Sequence, residues 1–352
     1  MSHSIRRLLP RTVGTAVIAL TMAVVLAACG GTTGEPAAES DSALPSVFGA
    51  FATPLEEPWD GAIHAALESA AADGLITYQH ADNLQTADEM ERALRDIIAS
   101  EHPDIIIGDA FAAEEAVRAV AADFPDTAFA FGSGGEPQAP NFSVFDNWMQ
   151  DPAYLAGMLA GGLTKSGTIG VIGAMPIPEV NRIVNAFIAG AQETNPTVTV
   201  SVAFINSFFD PAKAKQAAEA AIAGGADVLF AERDGVIAAA QENALPVFGM
   251  MVDQQEQAPD YVVSSLLWNM RPTVEAVVAD VAAGTFTGSN LAEYSFMSNG
   301  GSSLAPINTG TAFEIPAELI ALVEARSAQI TDGTFTTVVN EDAPAGSTTF
   351  GE

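Results

Sequence analysis

Residues 167–174 read GTIGVIGA, residues 178–195 read PEVNRIVNAFIAGAQETN, and residues 198–205 read VTVSVAFI. The first and third stretches are short and rich in β-branched residues, which favours β-strands. The middle stretch has a helical period and begins with Pro178, a residue type that is common in the first turn of a helix. A strand, a helix and a second strand in this order indicate a parallel sheet covered by helices.

The same alternation continues over residues 211–250 and also precedes it, over residues 44–133. Two such runs predict an α/β fold with two Rossmann-like lobes joined by a hinge. We expect an N-terminal lobe at residues 44–148 and a C-terminal lobe at residues 149–260. Residues 261–352 contain one further strand pattern and two further helix patterns, and we expect them to recross the hinge and complete both lobes.

The N-terminus has the layout of a secretory signal peptide. Three arginines precede an uncharged stretch, residues 12–28, which ends in small residues directly before Cys29. Residues 1–28 are therefore predicted to be a lipoprotein signal peptide and Cys29 the acylated N-terminus; an ordinary signal peptide or a membrane helix with a chance cysteine is the alternative. Residues 29–43 are polar and lack hydrophobic periodicity, which predicts a flexible tether.

The charge balance excludes nucleic acid as a partner. The chain has 13 basic and 44 acidic residues, and its formal net charge is -31. Binding to a phosphate backbone needs the opposite sign of charge. Because Cys29 is the single cysteine, an internal disulfide, a cysteine-based zinc site and a free thiol nucleophile are also excluded.

Signatures of enzymes and of metal sites are absent from the sequence. There is no phosphate-binding glycine loop, no nucleophile elbow and no zinc-protease motif. The histidines of the mature chain, His64, His80 and His102, stand in separate segments without metal-ligand spacing. We therefore predict no catalytic activity, no metal ion and no cofactor.

Aromatic, amide and carboxylate side chains follow the predicted strands of the first lobe. Glu57 and Trp59 come after the first strand, Asp109 ends the run DIIIGD, and Asn147 and Trp148 lie at the expected crossover. In open α/β sheets, the carboxyl ends of the strands face the ligand crevice. We predict that these five residues line a binding site.

The second lobe repeats this arrangement. Phe208, Glu232, Asp253 and Trp268 each lie at or shortly after the end of a predicted strand. Taken singly, each of these residues is also compatible with a helix cap, an ion pair or a core aromatic, and Glu57 with an acid that stabilises a helix dipole. Their convergence at successive strand ends favours a ligand crevice between the lobes.

The residue types of this crevice fit a flat heteroaromatic ligand. Aromatic faces stack on bases, and amides or carboxylates read the donors and acceptors on purine edges. A sugar site uses aromatic rings and carboxylates as well, so the residue types leave both ligand classes open.

Three stretches resemble the basic membrane protein family of ABC-transporter substrate-binding lipoproteins: residues 152–162, residues 167–192 and residues 224–232. The resemblance runs from about Leu44 to the mid-300s. It implies a type I periplasmic-binding-protein fold, a partner permease with an ATPase, and a lipid anchor in a membrane facing the periplasm or the cell exterior. It also implies a purine nucleoside as the ligand, since the best-understood members bind one.

The family's ligand-binding positions resemble the loop that ends at Trp59, the strand-end Asp109, the aromatic Phe208 and the aspartate Asp253. One departure is Trp268, which stands near a position where nucleoside binders carry a lysine. The resemblance, read with this departure, implies a smaller ligand, a free purine base such as adenine. A nucleoside-binding protein and a ligand-sensing lipoprotein without a transporter are the alternatives.

Overall fold

The computed structural model describes residues 44–351 with the exception of residue 112, so the predicted signal peptide, Cys29 and the tether lie outside the described residues. Residues 46–145 form a parallel five-stranded sheet in the order β2-β1-β3-β4-β5. The elements of this N-terminal lobe are β1 (Ser46–Ala50), α1 (Pro58–Ala72), β2 (Thr77–Ala81), α2 (Ala87–Glu101), β3 (Ile105–Asp109), α3 (Glu114–Asp123), β4 (Ala128–Gly132) and β5 (Phe142–Phe145).

The C-terminal lobe is built on a second sheet. Its first elements are α4 (Gln150–Leu163), β6 (Thr168–Gly173), α5 (Pro178–Thr194), β7 (Thr199–Phe204), α6 (Pro211–Ala223), β8 (Val228–Ala231), α7 (Val236–Glu242), β9 (Val247–Gly249) and β10 (Val262–Trp268). After β10 the chain forms α8 (Arg271–Ala283), which packs against α1 of the N-terminal lobe, and the remaining elements of the C-terminal lobe are β11 (Ser302–Leu304), α9 (Ala317–Thr331) and β12 (Thr348–Thr349). The strand order is β11-β10-β9-β8-β6-β7-β12, and the β10–β11 pair is antiparallel.

The chain passes between the lobes through three connections. The first, residues 146–149, leads from β5 to α4. The second, residues 269–270, leads from β10 to α8, which contacts α1 of the N-terminal lobe through an ion pair between Arg271 and Asp73. After α8, Asn290 forms a bridge to Val144 next to β5, and the third connection then returns the chain to β11. This architecture confirms the predicted α/β class with two lobes and a hinge.

Helices α4 and α5 contact each other backbone to backbone directly below the hinge. A Cβ atom on Gly157 would lie 2.0 Å from the carbonyl oxygen of Phe187, and one on Gly190 would lie 1.9 Å from that of Tyr154. Such distances are far below van der Waals contact, so both helices need glycine here. Within residues 44–351, no helix combines the length and apolar character needed to cross a bilayer.

Candidate ligand-binding site

A small cavity of about 40 Å³ lies between the carboxyl ends of the strands of the two lobes. Loops after β1, β3 and β4 contribute the wall from the N-terminal lobe: Thr53, Glu57, Trp59, Asp109, Phe111 and Ser133. Loops after β6, β7 and β8, with the start of α5, contribute the opposite wall: Ile177, Glu179, Phe208 and Arg233. The two walls therefore enclose little free space in this form.

Glu57 is fixed in the cavity wall by its role as the N-cap of α1. Its Oε2 accepts hydrogen bonds from the backbone N–H groups of Trp59 and Asp60 at 2.9 and 3.1 Å. An N-cap that accepts two backbone donors has a fixed rotamer. The other carboxylate oxygen, Oε1, is thereby directed across the cleft, where it faces Arg233.

Trp59 presents one edge to the cavity and is supported on its other sides by aromatic rings. It stacks on Phe145 with a centroid separation of 5.9 Å and meets Trp268 at 5.0 Å. The last residue of β4 is Gly132, where a Cβ atom would lie 1.9 Å from Cη2 of the indole. The position of Trp59 therefore depends on a glycine at the end of a neighbouring strand.

Two buried aspartates lie next to each other, Asp109 in this wall and Asp60 behind it. Asp109 accepts a hydrogen bond at Oδ1 from the backbone N–H of Phe111 at 2.8 Å, and burial raises its pKa to about 7. Asp60 accepts from the backbone N–H and the hydroxyl of Thr53 through Oδ2, while its Oδ1 has no hydrogen-bond partner. Burial, followed by the nearby charge of Asp109, raises the pKa of Asp60 well above its usual value. Both groups therefore hold a proton more readily than an exposed aspartate does.

Glu179 extends from the first turn of α5 into the cavity. Its Oε1 accepts a hydrogen bond from Nδ2 of Asn147 at 2.6 Å, which leaves Oε2 for a ligand. Enclosure by both lobes, and then the charge of Asp146, raises the pKa of Glu179 to about 8. Part of the side chain remains accessible from the cavity, so this protonated group faces the ligand space.

Arg233 is the cation of the cavity wall. It donates from Nη2 to Oε1 of Glu232 at 2.7 Å and from Nη1 to the carbonyl oxygen of Phe208 at 3.1 Å. The backbone N–H of Ala174 holds Oε2 of Glu232 at 2.8 Å, which fixes the ion pair to the end of β6. These contacts orient the guanidinium toward the cleft from the C-terminal lobe.

Several contacts in the cavity join the two lobes directly. Nη1 of Arg233 lies 3.4 Å from Oε1 of Glu57, and both side chains are at most 5% exposed. Phe111 and Phe208 meet edge to face with a centroid separation of 5.1 Å. The described structure is thus a closed form, in which residues of both lobes complete one cavity.

The structure brings four of the predicted site residues into the cavity wall: Glu57, Trp59, Asp109 and Phe208. Three others lie directly behind it and contact residues of the wall, namely Asn147, Glu232 and Trp268. Trp268 is buried, and its indole N–H donates to Oγ of Ser295. The prediction that Trp268 fills ligand space is corrected, because the indole supports Trp59 from behind.

Two predicted residues lie elsewhere. Asp253 is exposed, and its carboxylate accepts a hydrogen bond from the backbone N–H of Gln255 at 3.0 Å in a local turn. Trp148 lies in the first connection, where its ring carries the guanidinium of Arg182 at 4.2 Å and meets Phe296 edge to face. Neither side chain lines the cavity, so neither is a direct ligand contact in this closed form.

Sequence reasoning missed the remaining wall residues, above all Glu179 and Arg233. An acid after Pro178 in the first turn of a helix has an ordinary reason to be there, since it stabilises the helix dipole. Arg233 did carry a usable signal, because a basic residue directly after a strand end is conspicuous in a chain with 13 basic residues. Phe111 and Ser133 lie in loops whose ends the sequence pattern does not define.

Among the described residues, no group of three or more histidine, aspartate or glutamate side chains is arranged to hold a metal ion. The polar groups of the cavity are instead carboxyl groups, two hydroxyl groups and one guanidinium. Such a set of groups can bind a small organic molecule through hydrogen bonds, and the aromatic rings beside it supply flat apolar contacts.

Residues 56–299 match the Bmp family model, which is described as ABC transporter substrate-binding protein PnrA-like. The chain is 34% identical over 180 residues to a protein of Haloferax volcanii named putative ABC transporter glucose-binding protein TsgA13. That match covers 49% of this chain and 46% of the relative, so the chain spans about half of that relative's length.

A second relative, from Brucella abortus, is named purine-binding protein and is 29% identical over 254 residues, which cover 72% of this chain and 70% of the relative. Among solved structures, an ABC transporter solute-binding protein from Aeropyrum pernix K1 superimposes with a TM-score of 0.71 at 20% identity. That alignment covers 85% of this chain and 94% of the other. This likeness shows the type I periplasmic-binding-protein fold.

The raised pKa of Asp109 predicts a stability that falls as the pH rises. A carboxyl group whose pKa is higher in the folded than in the unfolded chain binds extra protons when folded, so the free energy of unfolding decreases as the pH increases toward the folded pKa of about 7. In Asp109→Asn, this decrease between pH 5 and pH 8 should be shallower by about 1 kcal/mol or more, since one pKa unit corresponds to about 1.4 kcal/mol. Urea unfolding across this range measures it.

Asp253→Asn is the matched control, because it removes the same charge from an exposed carboxylate. This control should follow the pH dependence of the wild type. Equal slopes for Asp109→Asn and the wild type would show that Asp109 takes up no extra proton on folding.

Proposed function

The chain belongs to the Bmp family of ABC transporter substrate-binding proteins, and on that premise we propose that it binds a purine base of the adenine type in the cavity between its lobes. Proteins of this class bind small molecules outside the cytoplasm and work with a permease and an ATPase. The proposal for the ligand rests on one observation, the placement of carboxyl groups with raised pKa values beside aromatic rings in a closed cavity.

A protonated carboxyl group matches the edge of adenine. It presents a donor and an acceptor in one plane, as the side-chain amide of asparagine does, and that amide pairs with the amino group and a neighbouring ring nitrogen of adenine. Glu179, with a pKa of about 8, and Asp109, with a pKa of about 7, are the candidates for this contact. Glu179 is the better placed, because Oε1 is held by Asn147 and Oε2 is not.

The apolar groups of the cavity support a flat ring as the ligand. Trp59, Phe111, Phe208 and Ile177 occupy both walls, and the aromatic residues among them come from different lobes. Stacking of a base on an aromatic side chain contributes about 1 to 3 kcal/mol. A base enclosed when the lobes close would therefore be held by both walls at once.

A free base fits the dimensions better than a nucleoside does. The cavity encloses only about 40 Å³ in this form, which favours the smaller of the two ligands, and the carboxyl groups leave little neutral surface for a ribose. The name of the Brucella relative supports a purine. The name of the Haloferax relative indicates glucose for that protein, and a sugar is therefore the competing ligand in the test.

Isothermal titration calorimetry with adenine, adenosine and D-glucose tests the proposal. Adenine should bind most tightly, adenosine more weakly because its ribose must displace a wall residue, and glucose should give no heat at millimolar concentration. Tighter binding of adenosine would replace the base by a nucleoside. Binding of glucose without binding of adenine would overturn the purine proposal.

Phe208→Leu should weaken adenine binding about 5-fold to 150-fold, the equivalent of the 1 to 3 kcal/mol that one stacking contact contributes. Phe209→Leu is the matched control, because this neighbouring phenylalanine is exposed and lies outside the cavity wall. Calorimetric titration of both variants gives the comparison. If the two substitutions change the affinity equally, Phe208 is not a stacking partner of the ligand.

We further propose that Cys29 is lipidated and anchors the protein to a membrane. The support is the sequence before Cys29, where small residues follow an uncharged stretch. Radiolabelled palmitate supplied to expressing cells should be incorporated into the wild type and not into Cys29→Ser. Equal labelling of the two proteins would place the acyl chain elsewhere.

A further inference from the structure

Arg182 is a buried cation that lies outside the cavity, in the first turns of α5. Its side chain is 3% exposed and donates from Nη2 to Oδ2 of Asp146 at 2.5 Å and from Nη1 to Oε1 of Glu341 at 3.1 Å. The guanidinium carbon also lies 4.2 Å from the centre of the Trp148 ring. One guanidinium thus holds two carboxylates and an aromatic face.

The two carboxylates belong to different parts of the molecule. Asp146 and Trp148 lie in the first connection between the lobes, immediately after β5 of the N-terminal lobe. Glu341 lies in the chain that follows α9, which returns along the C-terminal lobe to form β12 beside β7. Arg182 therefore joins the hinge to a segment that does not leave the C-terminal lobe.

Asparagines of α5 bind this returning segment independently of the N-terminal lobe. Nδ2 of Asn181 donates to the carbonyl oxygen of Glu341 at 3.0 Å. Nδ2 of Asn185 donates to the carbonyl oxygens of Asn340 and Asp342 at 2.9 and 2.8 Å. The contact between Arg182 and Glu341 consequently persists when the lobes move apart, whereas the contact with Asp146 depends on the position of the hinge.

The hinge contact is connected to the cavity through one residue. The carbonyl oxygen and Oδ1 of Asn147 each accept from Nη2 of Arg182 at 3.5 Å. Nδ2 of the same asparagine donates to Oε1 of Glu179 at 2.6 Å, and Glu179 lines the cavity. A shift of the first connection therefore moves the group that orients a ligand-facing carboxyl.

We propose that Arg182 is a positioning residue that stabilises the closed arrangement of the lobes by holding Asp146, with Glu341 keeping the guanidinium in place. The proposal rests on the binding function of the family, and it holds for any ligand that is enclosed between the lobes. Arg182 touches no ligand in this scheme.

The contact between Arg182 and Asp146 contributes to stability because Arg182 is buried. A guanidinium removed from water needs full compensation by carboxylates and hydrogen-bond acceptors, and loss of one partner leaves it incompletely compensated. Opening that withdraws Asp146 leaves Glu341 as the single carboxylate partner of Arg182. This cost of opening favours the closed form. A ligand shifts the populations of the open and closed forms only by the difference between its affinities for them.

Asp146→Asn tests the proposal, because Asp146 is partly exposed and its loss does not strand a buried carboxylate. In small-angle X-ray scattering, the unliganded variant should have a larger radius of gyration than the unliganded wild type. Adenine should bind the variant about 5-fold to 50-fold more weakly, and this loss of affinity should result from faster dissociation.

Arg326 offers a matched control, since it has the same chemistry within one lobe. It pairs with Glu193 at 2.7 Å and lies 3.9 Å from the centre of the Phe335 ring. Arg326 lies in α9, Glu193 in α5 and Phe335 in the turn after α9, so all three groups belong to the C-terminal lobe. Glu193→Gln should lower the unfolding temperature without changing the radius of gyration or the ligand affinity.

Unchanged scattering of unliganded Asp146→Asn relative to the wild type, or the same scattering change in Glu193→Gln, would overturn the role of Arg182. The scattering comparison needs no ligand. A wild type that fails to bind adenine therefore contradicts the purine proposal alone and leaves the hinge result readable.

Discussion

The buried guanidinium of Arg233 is the constraint on which the ligand cavity depends. Closing the lobes removes a group of carboxyl groups from water, and a buried charge is tolerated only when it is paired or neutralised. Arg233 compensates Glu232 within its own lobe and Glu57 across the cleft. Burial raises the pKa values of Asp60, Asp109 and Glu179. It also raises those of Glu57 and Glu232, where the nearby charge of Arg233 opposes the increase. The donors and acceptors offered to a ligand are therefore set by a shortage of cations in the cleft.

The aromatic groups depend on a different constraint, which is close packing at the hinge. Phe145, Trp59 and Trp268 form one cluster that spans the end of β5, the start of α1 and the end of β10. Gly132 leaves the space into which the Trp59 indole fits. Phe145 directly precedes the first connection, and Trp268 ends β10 directly before the second. Movement of the lobes must therefore also move Trp59, the ring of this cluster that faces the ligand. The cavity and the hinge are consequently not separable parts of this structure.

The fold could be predicted from sequence because hydrophobic periodicity and strand ends are local properties, and the same rule placed Glu57, Trp59, Asp109 and Phe208 at the crevice. It failed where the strand end was followed by an irregular turn. β9 ends at Gly249, and Met251 then adopts a positive φ of 68°, which turns the chain so that Asp253 reaches solvent. Trp268 is the last residue of β10, and its side chain packs on Trp59 and Phe145 in the hinge cluster. Arg182 and Glu179 gave no distinctive signal, because their roles depend on contacts with the first connection and, for Arg182, with Glu341, which are distant in sequence.

Two buried guanidinium groups of the C-terminal lobe meet carboxylates from outside that lobe. Arg182 meets Asp146 of the first connection, and Arg233 meets Glu57 of the N-terminal lobe. Separation of the lobes would return Glu57 to water at modest cost, but it would leave both guanidinium groups with fewer partners in a lobe whose packing keeps them enclosed. Like charges within the N-terminal wall of the cavity also repel one another. The carboxyl groups of this wall are therefore stabilised either by protons or by the guanidinium groups of the opposite lobe. A ligand that supplies N–H donors to these carboxyl groups adds a third means of stabilisation, and it is available only when the cavity is complete.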